Sequence, residues 1–174
     1  AGRRFVDYLD FCYSPAFIAL GSVINNMKNP YFYIIGGGSH AGYMLTTLAK
    51  TYINAKSPIT AMSVINAEIA KLTLNMYITM KISFANMLAE LCEKIPGADA
   101  TTIAEAIGQD SRVGVKYLRP ATAYGGPCFP RDAIAFQKTA ESVGVMANLA
   151  NATQVINDRQ VSRLANKIKC LADI

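Results

Sequence analysis

Apolar and polar positions divide the chain into short strand-like runs near its start and long helical stretches after them. Phe5 to Leu9 reads as the end of a helix and Phe11-Cys12-Tyr13 as a short strand. Pro15 to Met27 has helical spacing, and Tyr31-Phe32-Tyr33-Ile34-Ile35 is an aromatic and β-branched run between Pro30 and three glycines, as a strand would be. Tyr43 to Asn54 reads as a helix. From Ser57 to Ile95 nothing breaks a helical pattern: Ser57 suits the cap, Pro58 the first position and Pro96-Gly97 the stop. At ~1.5 Å per residue such a helix would span roughly 58 Å, and being apolar on most faces it suits the centre of an assembly. Asp99 to Ile107, Arg131 to Val143 and Asn148 to Lys169 read as further helices. A loop with Gly108, Gly114, Pro120 and Gly125 leads to Cys128, and Leu171 to Ile174 would lead toward another domain.

The 174 residues can enclose one sizeable core and pieces of a second domain. They are 52% hydrophobic and 17% charged, against ~25% charged in an average soluble domain, so more apolar side chain is present than one small surface hides. A large oligomer interface accounts for the surplus. A membrane span does not: no run reaches about 18 apolar residues, and the most apolar long stretch carries Lys71, Asn75, Lys81 and Asn86. The start, Ala1-Gly2-Arg3-Arg4 followed by Asp7 and Asp10, is unlike a signal peptide, and a cytoplasmic location is expected. The net charge of +5 comes from singly scattered lysines and arginines, which argues against nucleic acid and suits anionic small substrates. Cys12, Cys92, Cys128 and Cys170 are spaced 80, 36 and 42 apart, fitting neither a metal knuckle nor a compact disulfide framework. Reduced thiols and no metal site are expected. His40, the only histidine, reads as surface or core filler.

Gly36-Gly37-Gly38-Ser39-His40-Ala41 follows a strand and precedes a helix, matching the looser dinucleotide fingerprint G-x-G-x-x-A. Two features speak against that use. No Asp or Glu occurs between Asp10 and Glu68, where an acid about 20 residues on should hold the ribose hydroxyls, and the expected helix from Ser57 occupies the place of a second parallel strand. The glycines therefore read as a strand-to-helix turn.

In Tyr124-Gly125-Gly126-Pro127-Cys128-Phe129-Pro130-Arg131-Asp132 a thiol stands where a turn stops and a helix starts. The unsatisfied N–H groups and dipole of such a terminus favour an anion, so the thiolate of Cys128 is expected to be stabilised and reactive. Asp132, four residues on, would face back as a proton acceptor or water-orienting group. A free cysteine can equally be a small buried hydrophobe, and Gly-Gly-Pro can simply turn a chain. Glu68, Lys71 and Asn75, spaced by three and four, share a helix face that is otherwise apolar; a solvated ion pair is the alternative. Arg112 alone reads as a surface residue.

The cysteine run resembles the GGxCFPKD signature of the UDP-glucose/GDP-mannose dehydrogenase family, with Arg131 in place of lysine. Lys71 and Asn75 match that family's K-x-x-x-N, Arg112-Val113-Gly114 its R-I-G, Ile34-Ile35-Gly36-Gly37 its IIGG, and Asn157-Asp158-Arg159-Gln160 its NDRQ helix. The resemblance covers almost the whole chain. It implies a mainly α fold, a helical dimerisation domain like the C-terminal domain of 6-phosphogluconate dehydrogenase with a long central helix, plus a small α/β remnant of a Rossmann domain. Residues 1–56 would end the NAD-binding domain, 57–156 would form the central domain, and 157–174 would start the connection to a nucleotide-binding domain.

The resemblance also implies a chemistry. A nucleotide sugar such as a UDP-sugar would be oxidised at C6 with NAD as hydride acceptor; Cys128 would capture the aldehyde as a thiohemiacetal, a second oxidation would give a thioester, and water would release the uronate. Lys71 and Asn75 would stabilise oxyanions and Asp132 would aid proton transfer. Gly125 and Gly126 would lie against the sugar, Tyr117 and Tyr124 would wall the pocket, and Arg112 would reach into the neighbouring subunit of a homodimer or larger homo-oligomer. One departure stands out: Ser14-Pro15-Ala16-Phe17 has Ala16 where the family commonly shows an acid-base glutamate, and Leu20 where some members carry a second. Either the acid is lost or another base serves. A non-catalytic oligomerisation module that retains the fold is the alternative.

Overall fold

The computed structural model describes residues 10–19 and 21–172. The helix end expected at Phe5 to Leu9, the position of Leu20 and the last two residues lie outside the described residues. Most described residues are helical, with one small three-stranded sheet. The chain divides into two compact units, Ala1–Lys71 and Leu72–Ile174.

In the first unit, β1 (Cys12–Tyr13) pairs antiparallel with β2 (Tyr33–Gly37), and β3 (Ile59–Met62) pairs parallel with β2 on its other edge. Two expectations are corrected here. The long helix does not start at Ser57: Ile59-Thr60-Ala61-Met62 lie in register with Tyr33-Ile34-Ile35-Gly36, and the helix α3 (Val64–Cys92) begins after them. Ser63 caps it, its hydroxyl accepting from the Asn66 N–H at 3.2 Å, while the Pro58 carbonyl accepts from the Tyr33 N–H at 2.8 Å. A β-branched run with a ladder partner outweighs the local Ser-Pro start signal. The second correction follows: with α2 (Ser39–Ala49) between them, β2 and β3 form a βαβ unit, so a parallel strand does follow the glycines.

The other elements shift by a few residues. Of Pro15 to Met27 only the end is helical, as α1 (Val23–Lys28); upstream, the Ser14 hydroxyl donates to the Ile34 carbonyl at 2.9 Å and the Asn26 side chain accepts from the Ala19 N–H at 2.9 Å. Tyr31 stays exposed ahead of β2, and α2 starts and stops earlier than Tyr43 to Asn54. Gly36 answers a steric demand, because a Cβ there would stand 2.6 Å from the Ala67 Cβ.

In the second unit, α4 (Ala100–Gly108) starts where Asp99 predicts, with the Asp99 carboxylate accepting from the Thr102 N–H at 2.6 Å. Then come α5 (Phe129–Ser142) and α6 (Asn148–Leu171). Met76, Ala133 and Ala150 form the core, with Met80, Phe136 and Ala147 packed against it. The deepest face of α3 here is polar: Asn75, Thr79, Ser83 and Asn86 are all buried, while Tyr77, Phe84, Met87 and Leu91 are exposed on another flank. Near the end of α3, Glu90 accepts from Arg159 and Gln160, and Glu93 accepts from Lys167 and forms an ion pair with Arg163, all on α6. Among the described residues no helix is long and apolar enough to cross a membrane.

Candidate functional site

Cys128 is the N-cap of α5, exposed, with no capping bond from its side chain. Pro130 stands in the first turn, and the Cys128 carbonyl accepts from the Asp132 N–H at 2.9 Å. One turn in, Asp132 is 3% exposed. Burying a carboxylate is costly unless each oxygen is bonded, and both are: Oδ2 accepts from Asn75 Nδ2 at 2.6 Å, and Oδ1 from Arg131 Nε at 2.9 Å with Nη2 also at 2.9 Å. The hydrogen bond and charge of Asp132 hold the Arg131 guanidinium still more firmly protonated, and a thiolate at Cys128 would add to this. An exposed thiol at a helix start, a buried carboxylate one turn on and a side-chain amide bonded to that carboxylate form a set suited to nucleophilic attack with proton transfer.

The loop before Cys128 is firmly tied. The Tyr124 N–H donates to Asn157 Oδ1 at 2.8 Å, the Tyr124 carbonyl accepts from Asn157 Nδ2 at 3.1 Å, and its hydroxyl donates to Gln154 at 3.0 Å. Burial, then the charge of Asp158, pushes the Tyr124 hydroxyl above its ordinary pKa of 10.0, against a hydrogen bond with Thr79. Gly125 and Gly126 are exposed, and Gly126 has a φ of +79°, where only glycine is unstrained. Tyr117 is also left-handed at φ +62° and is 48% exposed. Arg112 is exposed and pairs with Asp110, Nη2 to Oδ2 at 2.6 Å, while Lys81 donates to the neighbouring carbonyls of Val113 and Gly114.

Lys71 belongs to the first unit. Its ammonium donates to the Ala16 carbonyl at 3.1 Å and stands 5.1 Å from the centre of the Phe17 ring. Glu68 is exposed and His40 is exposed in the first turn of α2. The predicted residues Cys128, Asp132 and Asn75 are thus brought together, and Tyr124, Gly125 and Gly126 lead into them. Arg112 and Tyr117 sit on the longer loop, each with its own environment. A model of the UDP-glucose/GDP-mannose dehydrogenase family, central domain, matches residues 65–159.

The chain belongs to this family.

Among family relatives, it is 33% identical over 159 residues to the UDP-glucose 6-dehydrogenase of Rhizobium meliloti (strain 1021), covering 89% of this chain and 36% of that protein. With the UDP-glucose 6-dehydrogenase TuaD of Bacillus subtilis (strain 168) the identity is 32% over 160 residues, covering 91% and 34%. The solved UDP-glucose dehydrogenase of Pyrobaculum islandicum superposes with a TM-score of 0.79 at 29% identity, covering 86% of this chain and 34% of that one. The chain therefore spans about a third of the length of the curated relatives it matches.

The glycine turn does not suit a dinucleotide phosphate. The Asp10 carboxylate already occupies the start of α2, accepting from the Ala41 N–H at 2.7 Å, and a Cβ on Gly38 would meet it at 2.7 Å. β3 supplies the parallel strand that the sequence did not lead one to expect, while no Asp or Glu lies between Asp10 and Glu68 to hold ribose hydroxyls. Among the described residues no group of three or more metal-ligating side chains occurs. A cleft of about 560 Å³ lined by Thr46, Lys50, Asn54 and Ser57 among others contains none of the predicted site residues. Sequence reasoning missed Asn86, Gln154 and Asp10, and gave Asn157 no role. A signal was available for one of them: Asn75, Thr79, Ser83 and Asn86 recur at helical spacing inside an apolar helix.

Proposed function

We propose that this chain is the central part of an NAD-dependent nucleotide-sugar 6-dehydrogenase and carries its nucleophile. The observation that supports this most is Cys128, exposed at the start of α5 within one turn of a buried carboxylate that Asn75 holds. Cys128 Sγ attacks the C6 aldehyde carbon of a UDP-sugar, forming a thiohemiacetal that keeps the carbon in place with its remaining hydrogen. NAD, which residues other than the glycine turn would hold, would accept the hydride that leaves C6 as the alcohol becomes the aldehyde and a second that leaves the thiohemiacetal as it becomes the thioester. Asn75 donates a hydrogen bond near the developing oxyanion, Lys71 contributes charge, and Asp132 takes up and returns a proton. Water finally displaces the thiol from the thioester and releases the uronate. Gly125 and Gly126 let the sugar approach the backbone, Tyr124 and Tyr117 flank it, and Arg112 serves the site of a second copy. Within this reading residues 1–56 end the NAD-binding domain, 57–156 are the central dimerisation domain, and 157–174 begin the connection to a nucleotide-binding domain. The exposed apolar flank of α3 supports the homodimer.

Cys128→Ser in the full-length protein should lower turnover by about a thousandfold or more; full turnover would reject Cys128 as nucleophile. One observation favours a second reading, a binding and oligomerisation module without catalysis: Ala16 offers Lys71 only a backbone carbonyl where the family commonly has a carboxylate. Selective labelling separates the two. A catalytic Cys128 should react with alkylating agent well ahead of buried Cys92 and of exposed Cys170 between about pH 6 and 9, whereas a rate equal to that of Cys170 favours the module.

A further inference from the structure

The NDRQ segment of α6 has no part in the chemistry above, yet its side chains reach the cysteine loop and the central helix. Asn157, 5% exposed, makes a two-point contact with one residue of the loop, accepting from the N–H and donating to the carbonyl of Tyr124. Asn86 on α3, 1% exposed, makes a two-point contact with the backbone just upstream, accepting from the Ala121 N–H at 2.9 Å and donating to the Thr122 carbonyl at 3.2 Å. Each amide imitates a neighbouring strand, supplying a donor and an acceptor to the loop backbone. Arg159 and Gln160 donate to Glu90 of α3 at 2.7 and 2.6 Å, so the helix carrying Asn157 is itself tied to the helix carrying Asn86.

We propose that Asn86 and Asn157 are positioning residues for Cys128, two buried amides that hold residues 121–124 so that Gly125-Gly126-Pro127 delivers the thiol to the start of α5 in one place. The proposal rests on the reading of Cys128 as nucleophile. Three residues separate Tyr124 from Cys128, and before the ring of Pro127 fixes its own φ the chain has little restraint of its own: two of the three are exposed glycines, and a Cβ on either would meet nothing within 4 Å. Downstream, the Cys128 carbonyl is held by the Asp132 N–H. The thiol is thus defined by its helix on one side and by the two asparagines on the other, and loosening either amide leaves the thiol free to move relative to the bound substrate.

The test uses the full-length protein with its nucleotide-sugar substrate. Asn157→Ala and Asn86→Ala, with Asn157→Asp as a milder variant that keeps the acceptor for the Tyr124 N–H, are compared with Ser83→Ala. Ser83 donates to the Thr153 carbonyl of α6 at 3.0 Å and not to the loop backbone, so its loss is a matched control for a buried hydrogen bond. Loosening the loop should lower kcat by about tenfold or more, since a misplacement of ~1 Å can cost far more than that, with KM changing less than about threefold. Amide exchange over residues 121–128 should quicken while that of α4 stays as in the parent. Ser83→Ala should lose stability with kcat unchanged. Unchanged kcat in both asparagine variants, or an equal fall in Ser83→Ala, overturns the proposal. Full turnover by Cys128→Ser overturns it together with the function it rests on, which keeps the two failures distinct.

Discussion

Gly36 and Asn75 illustrate how single side chains are constrained by distant partners. A methyl group on Gly36 would lie 2.6 Å from the Ala67 Cβ and 3.0 Å from both the Ser63 carbonyl and the Val64 Cα, so backbone would have to move. Gly36→Ala should therefore destabilise the chain by about 1–3 kcal/mol in urea unfolding, as overpacked sites do; an unchanged midpoint would show that β2 and α3 can separate at no cost. Asn75 is a neutral donor to the buried Asp132 carboxylate, beside the charged Arg131. Its replacement by alanine should cost about 1–3 kcal/mol, because the oxygen it serves would be left unpaired away from water. Sequence could propose Asn75 and Asp132 as site residues, but not that they bond to each other. They are 57 positions apart, and only folding brings them to 2.6 Å.

Among the elements, α3 and α6 are joined by side-chain pairs near the end of α3. Glu93, held below its ordinary pKa of 4.5 first by the hydrogen bond from Lys167 and then by Arg163, links their ends. On acidification the unfolded chain takes up this proton before the folded one does. The stabilisation is complete above pH 4.5 and disappears as pH falls through the lower folded value. Glu93→Gln should flatten this part of the curve of unfolding midpoint against pH, and an unchanged curve would remove Glu93 as its source. Element limits were legible where the signal was local, as with Asp99 at α4 and Pro130 at α5. They were not where two signals competed: Ser57-Pro58 looks like a helix start, but Ile59 and Thr60 gain a ladder with β2 and the cap falls to Ser63.

For the whole molecule, part of the surplus of apolar residues lies exposed along α3. On α3 the polar residues Asn75, Thr79, Ser83 and Asn86 point inward and Tyr77, Phe84, Met87 and Leu91 outward, the reverse of a solvated helix. A flank of this kind is what a second copy would cover. The double variant Phe84→Glu and Leu91→Glu should shift the protein toward monomer in sedimentation velocity at micromolar concentration without changing its helix content. A parent protein already monomeric there would remove the proposed dimer interface.

By itself the sequence determined the mainly helical character, the start of α4, the turn that ends in Cys128 at the head of a helix, and the motifs that identify the family. These depend on caps, breakers and spacings that act within a turn or two of chain. Only the tertiary structure decided that Ile59–Met62 is a strand, that the glycine turn already holds Asp10, that α3 buries its polar side, and that Asn86 and Asn157 grip the cysteine loop. Each of these depends on hydrogen-bond or packing partners far away in sequence. A ladder edge or a buried amide is settled by what it meets after folding, and local propensity carries no record of that.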